Sequence, residues 1–204
     1  MSILPFIEGE PIAGRQLIGQ DLAWLTIRRQ AGIERFQKTG LPTQKLESWK
    51  YTRLRPLDDT RYLPVGAGGT DISIDTVPSV GDVAARLVFV NGRLRADLSD
   101  ISELPEGVRF DTLENVLAED PAWVEANMGS VAKDADQAML ALNDAMMDSG
   151  FVLHVQKGKA LTKPVEIVYI GGLTDQAVAY FPRNLIVLEE ASQATLVKHH
   201  IGHG

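Results

Sequence analysis

Cysteine is absent from the 204 residues. That excludes disulfides, thiolate nucleophiles and any metal site ligated by thiolates of this chain alone. No apolar run approaches the eighteen or so residues of a membrane span. The opening stretch MSILPFIEGEP lacks both the basic n-region and the long apolar core of a secretory signal. A cytoplasmic location is therefore expected. Basic stripes are also missing: the chain carries a net charge of −7, so nucleic-acid binding is not expected. The imbalance is uneven, because residues from Gly150 onward carry +1 and those before it −8.

What is present suits a folded chain, with 45% hydrophobic and 23% charged residues, a composition that argues against global disorder. Residues 11–39 read as a helix in which Ile18, Leu22, Leu25, Gly32, Ile33 and Phe36 recur in steps of three and four. Arg28, Arg29, Arg35 and Lys38 crowd its C-terminal half, where the helix dipole favours cations. Gly40 and Pro42 form the stop. Residues 58–82, with a GAGG cluster at 66–69, read as an irregular connector; the cluster lacks the Lys-Ser/Thr ending of a phosphate loop. Asn91-Gly92 between Leu87–Val90 and Arg93–Arg95 is a type I′ hairpin signal. Residues 111–126 and 134–148 look helical; the second has an apolar face of Ala135, Ala138, Met139, Leu142, Ala145 and Met146 and ends at Gly150.

Beyond residue 150 the period changes to two, or to short apolar runs. Residues 151–155, 165–170, 184–188 and 194–199 are strand candidates separated by turn-rich stretches. No helix fits between them, which leaves a parallel β-helix or a sandwich or barrel, and the irregular turns favour the solenoid. A solenoid stopping at Gly204 would leave an unpaired edge, so a piece of something longer is expected. The expected fold is thus an α+β domain over residues 1–149 leading into an all-β segment, 150–204, that starts a β-helix.

Chemistry-bearing clusters are few. His199, His200 and His203 form H-H-x-x-H, a metal-like pattern that would suit a cupin-like β protein. Neighbouring strand residues face opposite ways, however, so the pattern favours surface or core histidines without a metal. His154 reads as a satisfied packing residue. Glu189-Glu190 reads as one carboxylate in and one out, Asp58-Asp59 as a loop, and Asp134, Asp136, Asp144 and Asp148 as a solvated helix face. Lys157-Gly158-Lys159 is followed by Ala160 where a phosphate loop needs a hydroxyl. No nucleophile–base pairing stands out, so no enzyme is expected, and a generic β-solenoid interaction module is a further alternative. Trp49-Lys50-Tyr51-Thr52 lies just past the helix stop; the two rings either fold back over the helix or meet a partner.

That block also carries a resemblance. Pro42-Thr43, Glu47, Trp49-Lys50-Tyr51-Thr52 and Leu54-Arg55 are followed in order by LVFVNGRLRADLS with LPEGV, LNDAMMDSGFVLHVQKGKALTKPVEIVYIG and FPRNLIVLEEASQATLVKHHIG. Together they resemble the N-terminal half of the SufB/SufD family of iron–sulfur cluster assembly scaffold proteins. Gln44, Leu46 and Ser48 stand where the family tends to be more charged, and family members run about twice as far. The resemblance implies a mixed domain leading into the first coils of a right-handed parallel β-helix. It implies SufB-like and SufC-like partners, the latter an ATPase, or a pair of identical subunits. It implies an iron–sulfur cluster for the whole complex, with none bound by this chain. The remaining coils and most of the partner-facing surface would lie beyond Gly204, so no catalytic or metal-binding residue of the family carries over, and the Trp49–Thr52 signature is structural in this reading.

Overall fold

The computed structural model describes residues 17–60, 62–64, 72, 77, 79–101, 104–132, 137–172 and 174–202. The glycine cluster 66–69, Asp134, Ala135, Asp136 and His203 lie outside the described residues. In chain order the elements are α1 (Ala23–Thr39), α2 (Arg55–Asp59), β1 (Leu63–Pro64), β2 (Ala85–Val90), β3 (Arg93–Leu94), β4 (Val108–Thr112), α3 (Leu113–Glu119), α4 (Pro121–Asn127), α5 (Ala138–Met146), β5 (Phe151–Val155), β6 (Val165–Gly171), β7 (Val178–Ala179), β8 (Leu185–Leu188) and β9 (Leu196–Gly202). No helix among the described residues is long and apolar enough to cross a membrane.

Local chemistry explains most boundaries. α1 begins at Ala23 rather than extending back through residue 17, because Gly19 sits at φ 60° and turns the chain, with the Leu22 amide donating to the Gly19 carbonyl at 3.0 Å. Its end is as expected: Gly40 takes φ 65° and its amide closes on the Phe36 carbonyl at 2.7 Å. The helix expected over 111–126 is three elements. Residues 111 and 112 finish β4, then Thr112 caps α3 through the Asn115 amide at 3.1 Å. Asp120, followed by Pro121, breaks that helix and caps α4 through the Trp123 amide at 3.0 Å. The Asn91-Gly92 hairpin forms with both residues at positive φ. The Asp58-Asp59 pair, expected in a loop, ends α2, where Asp59 meets Arg55 at 3.3 Å.

Three sheets result, in the orders β1-β7, β3-β2-β6-β9 and β4-β5-β8. All four strand candidates after residue 150 are strands, and β7 is an addition found in the GGLTDQ-to-Phe181 stretch. The chain visits the sheets in a repeating order: β5 and β8 share one, β6 and β9 the next, and β7 lies in the third. The repeats pair in parallel at a nearly fixed spacing. Val152 faces Leu185 and Ala160 faces Gln193, 33 residues on in each case, and Val165 faces Leu196, 31 on. Both large sheets cross residue 150, since β2 pairs in parallel with β6 and β4 antiparallel with β5. The main core lies between them: Leu87, Phe89, Tyr169, Phe110, Phe151 and Leu153 are buried there, with Phe89 and Tyr169 stacked at 5.2 Å. α1 packs on α5 over Phe36, Leu142 and Met146, and on α3 and α4 over Leu25, Leu113 and Val124.

Candidate functional site, a basic groove beside the Trp-Lys-Tyr-Thr block

Past Gly40 the chain reverses and runs irregularly to α2. Successive turn bonds hold it, from the Leu46 amide to the Thr43 carbonyl at 3.0 Å, Trp49 to Leu46 at 2.9 Å and Thr52 to Trp49 at 3.0 Å. The Gln44 side chain donates to the Lys50 carbonyl at 3.0 Å, closing the loop. Between this segment and the last turn of α1 lies an open groove of about 780 Å³, floored by Phe36, Leu41, Pro42 and Leu54 and bordered by Lys45, Thr52, Arg53 and Arg55. Tyr51 does not seal α1, because its side chain is 89% exposed, with the Lys50 ammonium 5.7 Å from the ring centre. Trp49 is half-buried; Lys50 and Thr52 are exposed. Trp49→Ala is therefore expected to lower stability by about 1–2 kcal/mol, less than for a fully buried ring, and Tyr51→Ala by under about 0.5 kcal/mol. Urea denaturation of both variants checks this.

What fixes α1, and so one wall of the groove, is an ionic cluster that sequence reasoning missed. Asp144, expected on a solvated face, is buried, with its side chain 3% exposed. It accepts from Arg35 at 2.6 Å, from Arg28 at 3.3 Å and closely from Arg183. Gly32 makes this approach feasible: a Cβ there would lie 2.8 Å from the Ala141 carbonyl and the Ala145 nitrogen of α5. Arg29 is buried as well, donating to the carbonyls of Ile18 at 2.7 Å and Met147 at 2.9 Å. Burial pulls its guanidinium down to about 10, opposed by the nearby Asp148 charge, so it stays cationic at neutral pH. Asp148 is half-buried and accepts from the Phe181 amide at 2.8 Å. The signal for Arg29 was in the spacing, since it falls between Leu25 and Gly32 on the apolar stripe itself.

The two described histidines of the cluster, His199 and His200, are not brought together. His199 and His200 point to opposite faces of β9: one contacts Glu166 at 3.0 Å, the other stacks on Tyr169 at 5.2 Å. Burial and the neighbouring Lys198 push the His200 imidazole below its usual range. Among the described residues no group of three His, Asp or Glu side chains is placed to hold a metal ion. Glu166 is a second unexpected buried carboxylate, fully covered within β6 and bonded also to Arg86 at 2.6 Å and the Val80 amide at 2.9 Å. It thereby ties β2, β6 and β9 across one sheet face.

Glu189 and Glu190 are both exposed, lying in the turn after β8 rather than alternating along it. Glu189 accepts from His154 at 2.7 Å and from the Lys157 amide at 2.9 Å, while Glu190 pairs with the Lys157 ammonium. His154 is thus satisfied, with its ring 4.9 Å from that of Trp123. The His154 bond, then the Lys157 amide, holds the Glu189 carboxyl below the ordinary 4.5. A carboxylate with a lowered folded pKa stabilises above its unfolded value and loses that contribution as pH falls through the folded one. Glu189→Gln is expected to lower the thermal midpoint at pH 6, with the gap to the parent closing as pH drops below 4.5. Thermal melts across that range measure it.

Residues 14–167 match the family model of the SufBD protein N-terminal region. The chain belongs to the SufBD family. An iron–sulfur cluster assembly SufBD family protein of Synechocystis is 23% identical over 88% of this chain and 40% of its own length. The iron–sulfur cluster assembly protein SufD of Escherichia coli is 26% identical over 84% of this chain and 38% of its own, and SufD of Bacillus subtilis 27% over 89% and 42%. The chain thus spans about two fifths of the length of these SufBD relatives and is SufD-like over most of its own. α1, the groove and the Asp144 cluster's contacts on α1 and α5 all fall inside the SufBD match, whereas β7, β8, β9 and Arg183 lie past it.

Proposed function

We propose that this chain is the N-terminal part of a scaffold subunit, not an enzyme, in a cytoplasmic SufBCD-type iron–sulfur cluster assembly complex. It works beside a SufB-like subunit and a SufC-like ATPase, or as a pair of its own kind. The observation that carries this reading is the SufBD match over residues 14–167, with relatives named for iron–sulfur cluster assembly aligned over 84–89% of the chain. The chemistry agrees with it. Iron–sulfur clusters are held mainly by cysteine thiolates, so a chain without cysteine contributes shape and contact surface while a partner supplies ligands. The cluster is cargo of the assembly and not a resident group of this chain.

The second half of the proposal concerns shape: from β5 onward the chain winds as a right-handed parallel β-helix. Its support is the repeating order in which the strands join the three sheets and the parallel spacing of 31 or 33 residues. In a solenoid each coil buries its face on the next, which makes such a stack a stiff platform for partner subunits.

Deleting the complete gene and assaying an iron–sulfur enzyme under iron limitation tests the role. The expected result is a several-fold fall in that activity, restored by the gene, with a cluster-free enzyme unaffected. Unchanged activity in the deletion strain would contradict the proposal.

A further inference from the structure

We propose that the groove between the end of α1 and residues 43–55 docks an acidic, extended segment of a partner protein. The proposal rests on the scaffold reading, in which this chain acts through contact. Its first support is charge. The groove is lined by Lys45, Arg53 and Arg55 and by no acidic residue among those described, a local +3 in a chain of net −7. This excess is hidden in the whole-chain balance. Of these, Lys45 and Arg53 form no ion pair among the described residues. The pairs that do form, Lys50–Glu47 at 3.8 Å and Arg55–Asp59 at 3.3 Å, are exposed and weakly held. Cations at the border of a groove favour a carboxylate-bearing occupant and speed its approach.

The second support is the floor. Cations alone would make a diffuse patch, but here they border an apolar trough whose volume, about 780 Å³, suits several side chains. Tyr51 and Leu46, 89% and 52% exposed, stand on the same irregular segment. Tyrosine and arginine are both enriched at binding hot spots. An extended segment alternating acidic and aliphatic residues would satisfy the border and the trough together. A nucleic acid strand fits less well: Tyr51 offers a single exposed ring for base stacking, and the surrounding chain is acidic.

The test is fluorescence anisotropy with a fluorescein-labelled peptide of alternating Asp/Glu and Leu, beside its Lys-for-acid counterpart and a single-stranded oligonucleotide. The altered side chains are exposed, and thermal melts confirm that each variant folds. Lys45→Glu with Arg53→Glu is expected to weaken the acidic peptide at least about 10-fold. Tyr51→Ala with Leu46→Ser, which leaves charge unchanged, weakens it about 3- to 10-fold. Lys157→Glu with Lys163→Glu, elsewhere on the surface, changes it less than about 2-fold. Several results would overturn the proposal: no binding, an equal loss from the distant pair, no effect of the apolar pair, or tighter binding of the oligonucleotide. A deletion strain that loses iron–sulfur enzyme activity while the peptide fails to bind would sink the docking site and leave the scaffold role standing.

Discussion

Asp144→Ala is expected to cost about 3–5 kcal/mol of unfolding free energy, because it strands three partly buried cations rather than merely removing a contact. Three guanidiniums converge on that carboxylate: Arg28 and Arg35 from α1, and Arg183 from the segment before β8. Asp144 itself belongs to α5, so one side chain joins the first helix, the third-quarter helix and the strand region. Without it the Arg183 guanidinium, already depressed by burial and dependent on the Asp144 charge, has no paired carboxylate among the described residues. The contrast is Asp59→Ala, which breaks an exposed pair with Arg55 and should cost under about 1 kcal/mol. Urea denaturation of the two variants decides the matter; a loss below about 1 kcal/mol for Asp144→Ala would show that the cluster is dispensable to the fold.

Gly150→Ala is expected to be comparably damaging for a steric reason. Gly150 has φ 135°, in the region that side-chain-bearing residues rarely adopt. A Cβ there would overlap the carbonyl oxygen of Arg183 and lie 2.6 Å from its carbonyl carbon. That carbonyl cannot simply withdraw, since the Arg183 amide donates to Ser149 at 2.9 Å and the Leu113 amide to Gly150 at 2.9 Å. Backbone strain of about 1–3 kcal/mol and overpacking of about 1–3 kcal/mol act together at this crossing. Gly158→Ala is the control, with φ 69° and no atom within 4 Å of the added carbon, and should cost about 1–2 kcal/mol. Equal urea midpoints for the two variants would refute the close-crossing explanation.

The parts of the fold legible in the sequence were those governed by local chemistry. Gly40, Asn91-Gly92 and the short apolar runs after residue 150 specify their own conformations, and the structure has a helix stop, a hairpin and four strands at those places. Long-range pairing was not legible. Val108–Thr112 alternates too briefly to separate from the helix that follows, and only its register against β5 makes it a strand. Buried charge was the larger omission. Asp144 shares a stretch with Asp134, Asp136 and Asp148 that looks solvated by composition, and its fate depends on arginines more than a hundred residues earlier. Glu166 likewise sits in an apolar run that gives no notice of Arg86 and His199 beside it. The Trp49–Thr52 block was conspicuous as a motif, yet its side chains divide between the half-buried Trp49 and the open Tyr51, a difference that composition does not contain.

The proposed scaffold role is tested most directly by native mass spectrometry of material recovered through a tag on the complete reading frame, co-expressed with the proposed SufB-like and SufC-like subunits. The expected result is a discrete assembly whose mass includes this chain and the ATPase subunit, and that dissociates into those subunits on activation. Recovery of the chain free of any partner subunit would contradict it.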